Sequence, residues 1–406
     1  MAAHIVSLRT LAAFAVAALV YWSGALADAA TVNIQRQPVV EVVTTVSGSP
    51  LESSSTVLDV YRSSFGEDRV VYEFAIPALP NGSSLSAANF SAMIAQLSAT
   101  VAPATPSYPD VSFNGYAGDG VYSASDATVP FNSIGDTGSI VNNSTIGDPQ
   151  SYSLNASYIQ NLNTHSTHLG LMLYQQVSGQ YVSYYRSGFY SSIPSLSSYP
   201  KLTLTATVPD SGTVHAKPLF DVLATAQSSG GFTLTDGDTN INTQYLPGIV
   251  DRRGILRYDL GAIPHGSTIT SASITFDVNT ITSSPGNFPQ ARIYGYTGGA
   301  TVSATDAQQV GDLLGTSDPV TSLGTVTVNL DPSALQSLLA SGDFVGLTVL
   351  GSANGQQFGF STLESGFDTA PTLNVTYAPE PTSAAMLAGI GLPFLLKRRR
   401  KSAMRS

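Results

Sequence analysis

Few residues in this 406-residue chain have the type and spacing to do chemistry. His165 and His168 form a His-x-x-His pair just ahead of the apolar run Leu169 to Tyr174. Two imidazoles at that spacing can share a metal only if further ligands join them. Asp236-Gly237-Asp238-Thr239-Asn240 imitates the alternating oxygen ligands that open a calcium loop. No acidic residue follows until Asp251, so the distal ligand of an EF-hand is missing. The alternative is a polar turn whose Asx side chains bond nearby backbone amides. Tyr181, Tyr184, Tyr185 and Tyr190 could stack on sugar rings, or they could pair across strands of a sheet. The single tryptophan, Trp22, lies near the N-terminus.

Other reaction classes find no foothold. There is no cysteine, so thiolate nucleophiles, disulfides and cysteine metal sites are excluded. Gly-x-Ser-x-Gly, P-loop, Gly-x-Gly-x-x-Gly and His-Glu-x-x-His motifs do not occur. No carboxylate pair stands out for glycoside cleavage. Asp126 and Asp306 sit in the matching strings Ser-Ala-Ser-Asp-Ala and Ser-Ala-Thr-Asp-Ala, which points to a structural role such as capping a turn. The expectation is a protein that is not an enzyme and needs no cofactor, with calcium the one candidate ion.

That matching pair belongs to a tandem repeat. Asp68 to Gly82 aligns with Arg252 to Gly266 at an offset of 184 residues. Gly115-Tyr116 and Ser123 to Ala127 match Gly295-Tyr296 and Ser303 to Ala307 at 180. Leu154 to Gln160 and Gly170-Leu171 match Leu330 to Gln336 and Gly346-Leu347 at 176. Gly188-Phe189 and Pro200 to Thr205 match Gly359-Phe360 and Pro371 to Thr376 at 171. The offset changes only between blocks, as insertions in loops produce. Two homologous domains are expected, 31–209 and 214–377, joined around Pro209-Asp210-Ser211-Gly212. In this alignment His168 falls opposite Phe344, which favours a structural histidine over a metal ligand.

Each repeat reads as β: short, partly alternating β-branched runs such as Thr325 to Leu330 and Val345 to Val349, separated by Gly, Pro and Asn turns. One helix interrupts each. Asp331 as N-cap and Pro332 at the first helical position open a helix that stops before Gly342, and Asn155 to Leu162 takes the same slot in the first repeat. The expected fold is all-β: two tandem jelly-roll-like β-sandwiches, each with one short helix. Gly254 to Leu260 with Ile263-Pro264-x-Gly266, the helix from Asp331 and the closing Pro371 to Tyr377 resemble the DNRLRE, or disaggregatase-related, carbohydrate-binding-like domains. That resemblance implies a β-sandwich module of secreted proteins. The first copy departs from it, with Glu73 for Arg257 and Ala75 for Asp259.

The ends differ from the body. His4 and Arg9, the apolar Leu11 to Trp22 and the small-x-small Ala25-Leu26-Ala27 form a signal peptide over 1–27, with a retained anchor as the alternative. At the other end Pro379-Glu380-Pro381 precedes the apolar Ala384 to Leu396 and the basic Lys397, Arg398, Arg399, Arg400 and Lys401. An apolar segment followed by basic residues stops in a bilayer with its charge on the cytoplasmic side, here as a single short transmembrane helix. This three-part order over 379–406 resembles the PEP-CTERM sorting signal. The resemblance implies an exosortase-type membrane enzyme as partner, with Pro379, Glu380 and Pro381 as its recognition motif and Lys397 to Lys401 as a retention signal.

Cutting after Ala27 and near Pro381 changes the charge balance. Seven of the 17 basic residues lie in the ends, so ten remain against all 27 acidic ones and the net charge moves from −10 to −17. So acidic a body argues against nucleic acid as a partner and favours solubility. The expectation is a structural or adhesive protein of the envelope surface or extracellular matrix, acting through polysaccharide contact, self-association or display. Divalent cations could bridge so acidic a body to acidic polysaccharide. A carbohydrate-binding module using the first-repeat tyrosines, and a polysaccharide hydrolase, are the other readings.

Overall fold

The structure, a computed structural model, describes residues 29–379 apart from 46–49, 53–56, 64–65, 100–106, 109, 131, 138–139, 142–148, 176–184, 191–199, 310 and 353–354. The signal segment, Tyr181 and Tyr184, and everything from Glu380 to Ser406 therefore lie outside the described residues. Among the described residues no helix is long and apolar enough to cross a membrane.

Antiparallel β-sheet dominates. Strands of residues 30–208 make one 12-stranded sheet system, strands of residues 212–378 make another, and the strand order is the same in both. Each turns on one long strand, Ser84–Ala99 in the first half and Thr268–Thr282 in the second. In the second half the leading part of that strand pairs with Thr372–Ala378 and Gly324–Leu330, and its trailing part with Gln357–Ser361. The long strand thus passes from one layer of a sandwich to the other, with a register shift on the way. Ser84–Ala99 makes the corresponding pairings with Lys201–Val208, Pro149–Leu154 and Tyr185–Tyr190.

Between the layers lies an apolar core. Alternation is clean where one face meets water: Lys201–Val208 and Thr372–Ala378 bury every second residue. The central strands Gly66–Ala75 and Val250–Asp259 are buried on both faces along most of their length. Phe90 of the long strand meets Tyr72, Phe74 and Phe113, at centroid distances of 5.6, 6.2 and 5.3 Å, joining strands of both layers.

The helix slots fold as their caps dictate. Asp331 Oδ1 accepts from the Ser333 and Ala334 N–H groups at 2.8 and 3.2 Å and opens the helix Pro332–Leu339. Asn155 Oδ1 accepts from Tyr158 N–H at 3.0 Å and opens Ala156–Leu162. Among the described residues the first half has the one α-helix expected, and the second has two. Asp306 caps a second, Ala304–Gln308, by accepting from Ser303 N–H at 2.7 Å, and Asp126 serves the 3-10 turn Asp126–Thr128 in the same way. The matched aspartates are thus turn caps. A 3-10 turn at Leu363–Ser365 is a further addition to the expected elements.

Candidate functional site

A cleft of about 560 Å³ opens where the two halves meet. The first half contributes Asp119 and Val121, just after the strand Val111–Gly118, and His165 to Thr167. The second contributes Leu219 to Asp221, Asp236-Gly237, Leu363-Glu364 and Phe367. Four carboxylates line it, Asp119, Asp221, Asp236 and Glu364, and the lining includes no Lys or Arg.

Three of these carboxylates converge. Oxygens of Asp221, Asp236 and Glu364 all lie within 4.8 Å of one another. Asp221 projects from the strand Phe220–Ala226 and is only 3% exposed. Its Oδ2 accepts from Leu363 N–H at 2.8 Å, while its Oδ1 is buried without a hydrogen-bond partner. Asp236 begins the turn after Phe232–Thr235, and Glu364 lies on the 3-10 turn Leu363–Ser365. Burial, and then the charge of Glu364, push the Asp221 carboxyl up to about 8. Burial also raises Asp236, outweighing the Gly237 N–H bond, with Asp119 and Asp238 adding to the rise. The site is a knot of acidic groups with no Lys or Arg among the described residues that line it, which an oxygen-seeking metal ion could neutralise.

The calcium-like loop is therefore only partly in place. Asp236 joins the cluster, with Asp221 and Glu364 as companions from far away in sequence. Asp238 and Asn240 do not belong to it. The Asp238 carbonyl accepts from the Thr362 hydroxyl at 2.6 Å, and Asn240 Nδ2 donates to Asn242 at 3.3 Å. Asp236 Oδ1 also accepts from Gly237 N–H at 2.9 Å, so the Asx turn is real as well. Gly237 has φ +79°, the left-handed region such a turn favours. An acid inside the apolar string Leu219-Phe220-Asp221-Val222 was the one signal for Asp221; nothing local marks Glu364.

His165 and His168 do not meet at a metal. His165 is exposed and its Nδ1 contacts the Thr164 hydroxyl at 2.6 Å. His168 is fully buried against Phe220, and burial drops its imidazole to about 3, so it stays neutral. The histidine opposite Phe344 is a packing residue. Tyr185 and Tyr190 lie on the strand Tyr185–Tyr190, paired with Val57–Ser63 and Ser84–Ala99.

A second buried polar slot differs between the halves. In the second, Arg257 donates to Asp306 at 2.7 Å and lies over the Tyr296 ring at 5.2 Å. At the matching position Glu73 accepts from the Tyr116 hydroxyl at 2.9 Å and from the Asp119 and Gly120 N–H groups at 3.1 and 2.6 Å. Burial pushes Glu73 up to about 8.

Neither any family model nor any curated protein matches the chain. Among solved structures, a peptide-N(4)-(N-acetyl-β-D-glucosaminyl) asparagine amidase aligns over 87% of this chain and 97% of its own, at 11% identity and a TM-score of 0.21. A superposition that loose says nothing of this chain's chemistry.

Proposed function

We propose that the chain is a non-enzymatic, secreted protein of the cell surface or extracellular matrix. In this reading residues 31–209 and 214–377 are two homologous jelly-roll-like domains. The tail 379–406 hands the protein to an exosortase-type membrane enzyme, and the acidic body meets polysaccharide through divalent cations.

What argues against a glycosidase, and so supports the non-enzymatic part, is how the cleft carboxylates are arranged. Glycoside cleavage places its two carboxyl groups about 5–5.5 or 6.5–9.5 Å apart, with the scissile bond between them. Oxygens of three carboxylates, Asp221, Asp236 and Glu364, gather within 4.8 Å of one another, where an acid and base pair needs two groups on opposite sides of a bond. They surround a position rather than flank a bond. Support for the two-domain part comes from polar contacts duplicated at equivalent positions. Arg69 donates to Ala127 O and Glu67 as Arg253 does to Ala307 O and Asp251. Gln160 receives Leu85 N–H as Gln336 receives Ile269 N–H.

Deleting Pro379 to Ser406 in a host with the sorting enzyme should give unanchored secretion, read by fractionating cells and medium. Retention in the envelope with unchanged processing would remove the sorting tail from the proposal. Turnover of a polysaccharide by the purified chain would remove the non-enzymatic part.

A further inference from the structure

We propose that Asp221, Asp236 and Glu364 bind one calcium ion at the mouth of the cleft between the halves. The clustering alone would not support this, since acidic groups often gather on protein surfaces. The second observation is Asp221 itself. It is 97% withdrawn from solvent, one oxygen accepts from Leu363 N–H, and the other is buried with no donor facing it, only the like-charged Glu364 carboxyl. A buried, unsatisfied carboxylate oxygen beside two further carboxylates is costly as it stands. A cation removes the cost for all three at once.

The donor set selects the ion. All three side chains offer oxygen, and neither histidine nor any thiol joins them, which points to a hard cation. Two oxygens bound to one calcium at about 2.4 Å stand at most about 4.8 Å apart, and these three lie within that limit. Magnesium wants a tight octahedron and gives up water reluctantly. A strand, a turn and a 3-10 turn supply a looser set, and the open cleft leaves room for water to complete seven-fold coordination. Those waters are where a hydroxyl or carboxylate of a glycan could enter. The proposal stands apart from the secretion and sorting readings, because it concerns only the body of the chain.

The test uses the full-length chain stripped with chelator, with binding followed by radiocalcium equilibrium dialysis up to about 10 mM. That reaches beyond the ~10⁻⁴–10⁻³ M range of extracellular calcium modules. One ion per chain is expected. Asp221→Asn and Glu364→Gln should each weaken it about tenfold or more, whereas Asp238→Asn should leave it unchanged. In chelator Asp221→Asn should melt no lower than the parent, which establishes that it folds, and should lose the rise in melting temperature that calcium gives the parent. No bound calcium, or a folded Asp221→Asn that binds as the parent does, overturns the proposal. So does loss of binding in Asp238→Asn with retention in Asp221→Asn, which would move the ion into the loop. Magnesium bound more tightly than calcium overturns the choice of ion.

Discussion

Glu73 and Arg257 show how far one repeated position can drift while the fold around it is kept. Both lie fully buried on equivalent central strands, each beside a tyrosine, and both need a missing side chain opposite. A Cβ at Gly118 would run into the Glu73 carboxyl, and one at Gly298 would overlap the Arg257 guanidinium. Arg257 spends its charge on Asp306. Among the described residues Glu73 meets no cation and relies on Tyr116 and two backbone N–H groups, with Asp119 and Asp126 as unfavourable neighbours. Burial raises its pKa from 4.5 to about 8, so between those values the folded state keeps a proton that the unfolded chain has released. Stability should therefore fall as pH rises from about 4.5 to about 8, at up to about 1.4 kcal/mol per unit from this group. Denaturant midpoints measured in chelator should fall across that range, and Glu73→Gln should flatten the slope, leaving the part due to Asp221. Equal slopes in parent and variant would show that Glu73 is ionised throughout. The sequence shows the Glu-for-Arg exchange, but not its consequence. Which groups surround a buried position depends on strands brought together from 43 or more residues away.

At the scale of elements the sequence is far more legible, because caps and alternation are local. Asp331-Pro332 and Asn155 announce helices that form where expected, and strands such as Thr372–Ala378 alternate as written. The two short elements that hold Asp126 and Asp306 were readable only as a shared string, since three to five residues show no helical period. The cap argument has a measurable consequence. Asp331 satisfies two N–H groups of Pro332–Leu339, whose Leu335 is fully buried in the core of the second half. Asp331→Ala should cost about 1 kcal/mol by urea denaturation, and Asp331→Asn much less. A loss equal in the two variants would place the effect in charge rather than in capping. Asp221 and Glu364 escaped notice for the opposite reason, standing 143 residues apart and on different kinds of element.

The junction is specific to the whole molecule, because repetition does not reach it. Arg36, at the end of the strand Ala30–Arg36, donates to both oxygens of Asp259 at 2.7 and 2.6 Å and to Asp343 at 3.0 Å, and lies over the Phe344 ring. Arg36 stands opposite Leu202 in its sheet, and at the matching place opposite Leu373 the second half has Ala216. The counterpart of Asp259 is Ala75. Each half thus supplies the one member that the other lacks. Apolar contacts reinforce the seam: Ala262 packs into the core of the first half and Ala78 against that of the second. Only Pro209 to Ser211 separates the strands Lys201–Val208 and Gly212–Ala216, and Tyr377 donates its hydroxyl to Pro209 O at 2.8 Å. Fixing the halves in this way also fixes the distance across the cleft. With both members of the bidentate pair almost wholly buried, removing one strands the other's charge. Arg36 keeps Asp343 at 3.0 Å, so Asp259→Ala should cost less than the ~3–5 kcal/mol of a fully stranded buried charge, about 2–3 kcal/mol. Replacing both together, as Arg36→Met with Asp259→Leu, should recover much of that loss, since two apolar side chains carry no desolvation penalty. If the double variant is as unstable as the single one, the junction depends on the ion pair itself. If Asp259→Ala unfolds in two separate transitions where the parent unfolds in one, the pair is what makes the halves behave as a single unit.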